Sequence, residues 1–286
     1  MARTRNLTLR AVALLALLLA GPMLMLAIGR TEGADWRTAS NAPVGIAPDP
    51  AANPQAIVQV YAARAFGWRG AFGVHSWISV KPEGAAAFTS YHVIGWRARY
   101  GGNAIATYGN APDRRWFGAE PSLLAHLEGP AAAAAIPDIL AAIDAYPYAR
   151  TYRVWPGPNS NTFTAWVARE VPALALDLPP TAIGKDYLGE RIAAPAVSGT
   201  GWQVSLFGLI GLTAALEEGL EVNLAGMTFG IDPDDLNLKL PGVGRIGPAP
   251  ERGPERSPEP SPEPSPKPSP KPSPKPSLAR DAPATH

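Results

Sequence analysis

The stretch WPGPNSNTF, Trp155 to Phe163, sets one serine between two asparagines where a proline-rich approach gives way to helical spacing. After Pro158, the side chains of Phe163, Trp166, Val167 and Val171 recur at helical offsets and Pro172 ends the run. Asn159 to Asn161 therefore fall at a helix N-terminus, and Ser160 has two readings. Serine and asparagine are preferred helix caps, so capping alone accounts for the triplet. A helix N-terminus also offers unpaired N–H groups and partial positive charge, which favour an alkoxide and supply donors for an oxyanion. On that second reading Ser160 is a nucleophile, and N–H groups near Ser160 and Asn161 hold the oxyanion, with Asn159 and Asn161 as support.

A nucleophile needs a base, and a base needs a third group to fix its tautomer. Upstream, AIVQVYAARA (Ala56 to Ala65) reads as a strand, and AFGVHSWISV (Ala71 to Val80) as a second. The turn KPEG leads to a third, FTSYHVIGW (Phe88 to Trp96), which makes an antiparallel hairpin. Period two places Phe72, Val74, Ile78 and Val80 on one face of the second strand, with only Ser76 out of character. His75 and Trp77 share the other face, and His92 shares a face with Ser90, Ile94 and Trp96. His75 is thus a candidate base and His92 a candidate orienter. The structural alternatives are a hydrogen-bonded strand histidine at His75 and a satisfied core histidine at His92. His126, in LLAHLEG, reads as a helix-surface residue.

A helical block, GPAAAAAIPDILAAIDAYPY, opens at Pro130, restarts at Pro137 and ends at Pro147. The Gly-rich stretch from Gly201 to Asp232 invites a transmembrane reading, but Glu217, Glu218 and Glu221 interrupt it and its uncharged part is too short to span. Buried strands or a packed hairpin are expected there, with membrane-surface contact the lesser option. The fold class is α+β, an antiparallel sheet packed against helices.

The two ends differ in kind from this body. Arg3, Arg5 and Arg10 precede Ala11 to Gly29, an uncharged run of nineteen residues. At ~1.5 Å per residue the run covers roughly 28 Å, enough for a bilayer core. The positive-inside rule keeps the arginines cytoplasmic. Residues 1–30 are expected to be an uncleaved single-pass anchor in a bacterial inner membrane, with the body on the extracytoplasmic, periplasmic side. A signal peptide cleaved after Ala27-Ile28-Gly29 is the rival. Residues 31–55 read as a linker, 56–247 as the folded domain, and 248–286 as a disordered tail with fourteen of the 33 prolines.

Composition excludes several functions. With no cysteine there is no disulfide, thiolate metal site or Cys nucleophile. Four scattered histidines lack HExxH spacing, and GLIGL lacks the lysine of a phosphate loop, so neither metal nor cofactor is expected. A net charge of +1 gives no case for nucleic acid. Trp77, Trp96 and Trp155 are candidate walls of a substrate pocket, and Arg97, Arg99, Arg114 and Arg115 could meet an anionic headgroup or glycan.

GWRGAFGVHSWISVKPEG, VIGWR and WPGPNSNTF together resemble the bacterial family named domain of unknown function 3750 (DUF3750) over most of residues 56–247. A His-bearing strand, a second strand and N-[nucleophile]-N-x-F opening a helix are more distantly similar to permuted papain-like proteins. These include the PPPDE peptidases, NlpC-type proteins and lecithin–retinol acyltransferase-like proteins. That likeness implies Ser160 at the position of their cysteine, His75 as base and His92 as third member. It implies a serine-dependent hydrolase or acyltransferase acting on an envelope amide or ester. The replacement of Cys by Ser equally implies a degenerate site in a non-catalytic binding or scaffold protein.

Overall fold

The computed structural model describes residues 2–29, 35–109 and 111–248. The proline-rich tail, apart from its first residue, lies outside the described residues, as does the start of the linker. Helix α1 (Ala2–Ala27) is followed by coil that leads into a first sheet. Its strands are β1 (Ile57–Arg64), β2 (Val74–Lys81), β3 (Thr89–Val93), β4 (Ile105–Tyr108) and β5 (Ser122–Glu128), with the short helix α2 (Gly95–Arg99) after β3. Their order is β4-β3-β2-β1-β5, and each pairing is antiparallel.

The expected hairpin is β2–β3. Its first strand starts late, because Gly67–Ala71 forms a 3₁₀ turn. Its second ends early, so Trp96 sits on α2 and not on a strand face. His126 stands on β5, opposite Gln59 of β1, where its Nδ1 lies 3.2 Å from the Gln59 amide nitrogen. The helix expected there is replaced by a strand because β1, buried on both faces, needs a second partner for its backbone.

Helices α3 (Pro130–Asp144) and α4 (Ser160–Glu170) cover one face of the sheet. Pro137 is accommodated inside α3 without ending it. Ile78 and Val80 of β2 meet Ile139, Ile143, Phe163 and Val167 in this core. Ser76, the one polar residue on that apolar face, docks α4. Its hydroxyl lies 2.9 Å from both Asn161 Oδ1 and Thr164 Oγ1. The opposite face carries His75, Trp77 and His92 beneath Trp116, with Tyr61 and Ala119 alongside.

The remaining strands are β6 (Ala193–Pro195), β7 (Gly201–Leu206), β8 (Ile210–Ala215), β9 (Gly219–Leu224), β10 (Met227–Asp232), β11 (Asn237–Leu240) and β12 (Gly244–Ile246). They form a seven-stranded antiparallel meander in sequential order. The expectation of strands between Gly201 and Asp232 holds, but their polarity is the reverse of a soluble sheet. Gln203, Thr213, Glu221, Asn223 and Lys239 are buried, while Val204, Leu212, Val222 and Leu238 are exposed. The buried carboxylate of Glu221 bridges Lys185 and Lys239, and Lys239 also reaches Asp177 at 2.8 Å. Burial pulls the Lys185 ammonium toward neutrality, but Glu221 and Asp186 outweigh it and raise its pKa.

Candidate functional site

Three hydrogen-bonding layers build the site around the N-terminus of α4. Asn159 is the cap: its Oδ1 accepts the N–H groups of Asn161 and Thr162 at 2.9 and 3.2 Å, and Thr162 Oγ1 accepts the Asn159 N–H. The Asn159 amide also donates to the Val154 and Ile183 carbonyls. Asn161 donates to Val74 and Ile183, so it ties α4 to β2 and to the 181–184 loop. Gly184 lies so close to the Asn159 side chain, at a φ of +99°, that a Cβ there would collide with it.

This division of labour separates the two readings of Ser160. Capping belongs to Asn159. The Ser160 backbone carbonyl accepts from Thr164 at 3.2 Å, and among the described residues its hydroxyl has no hydrogen-bond partner. The Asn161 N–H, expected to serve an oxyanion, is instead taken by the cap. Asn159 and Asn161 act here as structural ties.

His75 and His92 are brought together, with Nε2 of His75 3.0 Å from Nδ1 of His92. One ring must donate and the other accept, so the contact fixes complementary tautomers. Burial, with His92 adding to it, holds His75 well below the usual imidazole range, and burial takes His92 down to about 3. Both are neutral at physiological pH. His75 is also stacked under Trp116 at 3.7 Å between ring centroids.

No hydrogen bond joins Ser160 to this pair. Ser76 points to α4, and its neighbour His75 projects from the opposite face. The structure thus joins His75 with His92, and joins Ser160 with Asn159 and Asn161, without hydrogen-bonding the two groups to each other.

A cavity of about 1340 Å³ runs past the end of the sheet and is lined by both groups. Trp96 and Trp155 stand on it, 61% and 53% exposed, and Trp155 Nε1 donates to the Ala225 carbonyl. Trp77 also lines it but is only 1% exposed, held in the sheet where its Nε1 donates to the Pro112 carbonyl. Five arginines line the cavity, Arg69, Arg99, Arg114, Arg115 and Arg150, and among the described residues no carboxylate does. Arg115 is partly neutralised by Glu120, whereas no carboxylate pairs with Arg99 or Arg150 among the described residues. Arg69 and Arg150 escaped the sequence reading, because nothing in an isolated arginine says that the fold will aim it into a cavity.

Comparison with known families reaches this same region. Residues 55–187 match the family described as a protein of unknown function, DUF3750. That segment belongs to DUF3750. It contains β1 to β5, α3, α4 and the 181–184 loop, and stops before the seven-stranded sheet. The matched segment spans Ser160, His75, His92 and the two asparagines. No curated protein and no solved structure matches the chain.

Proposed function

We propose that this is a membrane-anchored protein of the bacterial envelope, its body held on the extracytoplasmic side by α1, and that its cavity binds an anionic amphiphile without cleaving it. The frame is a permuted papain-like one in which no base is hydrogen-bonded to the nucleophile position among the described residues. The observation that carries the reading is the cavity lining, with five arginines, exposed tryptophans and no carboxylate among the described residues. Arginine forks suit phosphate or carboxylate oxygens, and the indole faces suit the apolar part of the same molecule. The free Ser160 hydroxyl adds a neutral donor at the positive end of α4.

The test is titration of the reconstituted full chain with hexyl phosphate, followed by tryptophan fluorescence, against uncharged hexanol. Saturable binding of the phosphate is expected, weakened about tenfold by Arg99→Ala or Arg150→Ala. Equal binding of hexanol would sink the anionic part of the proposal.

The second reading is a serine-dependent amide or ester hydrolase or acyltransferase. It is favoured by the uncommitted Ser160 hydroxyl on the cavity and by the mutually oriented histidines. It requires a His75 ring nitrogen to come within about 2.6–3.2 Å of the hydroxyl, whereas its Nε2 is bonded to His92. A fluorophosphonate probe decides. The binding reading expects no Ser160-dependent label, and a label lost in both Ser160→Ala and His75→Ala would replace it with the hydrolase.

A further inference from the structure

The meander presents its apolar side to solvent without interruption. In register, Val204, Leu212, Val222 and Phe229 lie side by side across β7 to β10. The next row runs through Leu220, Ile231, Leu238 and Ile246. No ionisable side chain stands on this face of β7 to β12. Glu221, Asp232, Lys239 and Arg245 alternate with these residues and point inward, where Glu221 and Lys239 are ion-paired. So large an exposed apolar face, backed by a compensated polar interior, calls for a cover.

Helix α1 indicates which one. Its stretch Thr8–Ala27 is long and apolar enough to cross a membrane. Near its C-terminal end, Gly21 and Pro22 pack against Pro241 to Val243, the turn joining β11 to β12. Arg64 of β1 braces the same turn, donating to the Gly242 and Val243 carbonyls. The apolar face therefore begins beside the last two turns of that helix. Protein interfaces carry a polar rim and about one hydrogen bond per 100–200 Å², and these strands offer almost nothing outward to make them.

We infer that the outer face of the β7–β12 sheet lies on the membrane surface, seated at the boundary of headgroups and acyl chains. The unpaired edges of β6 and β12 keep it out of the hydrocarbon core. The cavity-bearing half of the protein is then held beside the lipid. This rests on the anchored reading of α1.

Since the chain has no cysteine, single nitroxides can be placed cleanly on the full chain at Leu212→Cys, Val222→Cys and, as a control, Glu83→Cys in the β2–β3 turn. The label sites are exposed and leave the core intact. In vesicles of phosphatidylethanolamine and phosphatidylglycerol, positions 212 and 222 should collide with oxygen several-fold more than with a water-soluble nickel chelate, and position 83 the reverse. Preference for the chelate at 212 and 222 overturns the inference. So does exclusion of both agents with spin–spin broadening, which would make the face a contact between two copies. A label at Leu15→Cys reports the anchor separately: water there with lipid at 212 removes the anchored reading and leaves the seated sheet.

Discussion

At the scale of single residues, the site separates holding from availability. Asn159 makes four hydrogen bonds through its side chain, and the Ser160 hydroxyl makes none among the described residues. Asn159→Ala should cost more than the ~1 kcal/mol typical of a lost cap, because the Val154 carbonyl loses its donor and the Ile183 carbonyl one of two as well. Ser160→Ala should stay within about 0.5 kcal/mol of wild type. Urea unfolding of the two variants side by side measures this, and an equal loss would return the cap to Ser160. The histidine pair predicts a pH dependence. Both imidazoles bind protons less readily in the fold than in the unfolded chain, where the value is about 6.5. Stability is therefore full above that pH and falls on acidification toward the His92 value of about 3. Each buried histidine contributes up to ~1.4 kcal/mol per pH unit across that window. His92→Gln should flatten thermal stability between pH 6.5 and 4.5, and an unchanged slope would show that carboxylates elsewhere govern it.

At the scale of elements, much of the first sheet was legible because β1, β2 and β3 combine β-branched residues with turn residues at their ends. Ser76 was legible as an exception before its cause was visible, which is the Asn161 and Thr164 contact with α4. The α4 start was readable from Pro158, Asn159 and the offsets of Phe163 and Val167. Three features were not. Pro137 stands midway along α3 yet the helix continues through it, SLLAHLE carries no clear period, and the side on which β7 to β9 bury themselves was hidden. Trp202-Gln203-Val204-Ser205-Leu206 alternates cleanly, but alternation names two faces without saying which meets water. The inward face is held by Glu221 between two lysines. Glu221→Gln removes the carboxylate that compensates them and should destabilise the fold by about 3–5 kcal/mol, since buried charges are left unmatched. Loss of under ~1 kcal/mol in chemical denaturation would mean that water reaches the cluster.

At the scale of the whole molecule, α1 was readable from the uncharged run that begins at Ala11. The pairing of His75 with His92 was foreseeable as two strands in a hairpin, while the lack of a hydrogen bond from Ser160 to either was not. It depends on how the start of α4 is set against β2, and a sequence pattern carries no information on that. The two sheets also differ in how far apart in the chain their partners are. Every pairing in the meander joins consecutive strands, whereas β1 must find β5, matching Ile57 with Glu128. Short-range pairing is fast and long-range pairing slow. Pulsed hydrogen exchange should find β7 to β10 amides protected before those of β1, and the opposite order would mean that the first sheet nucleates. A late-synthesised meander that closes quickly would display its bare apolar side while its neighbour is still searching. Such a chain is safest when it matures against a bilayer, and it should aggregate when refolded from urea in plain buffer.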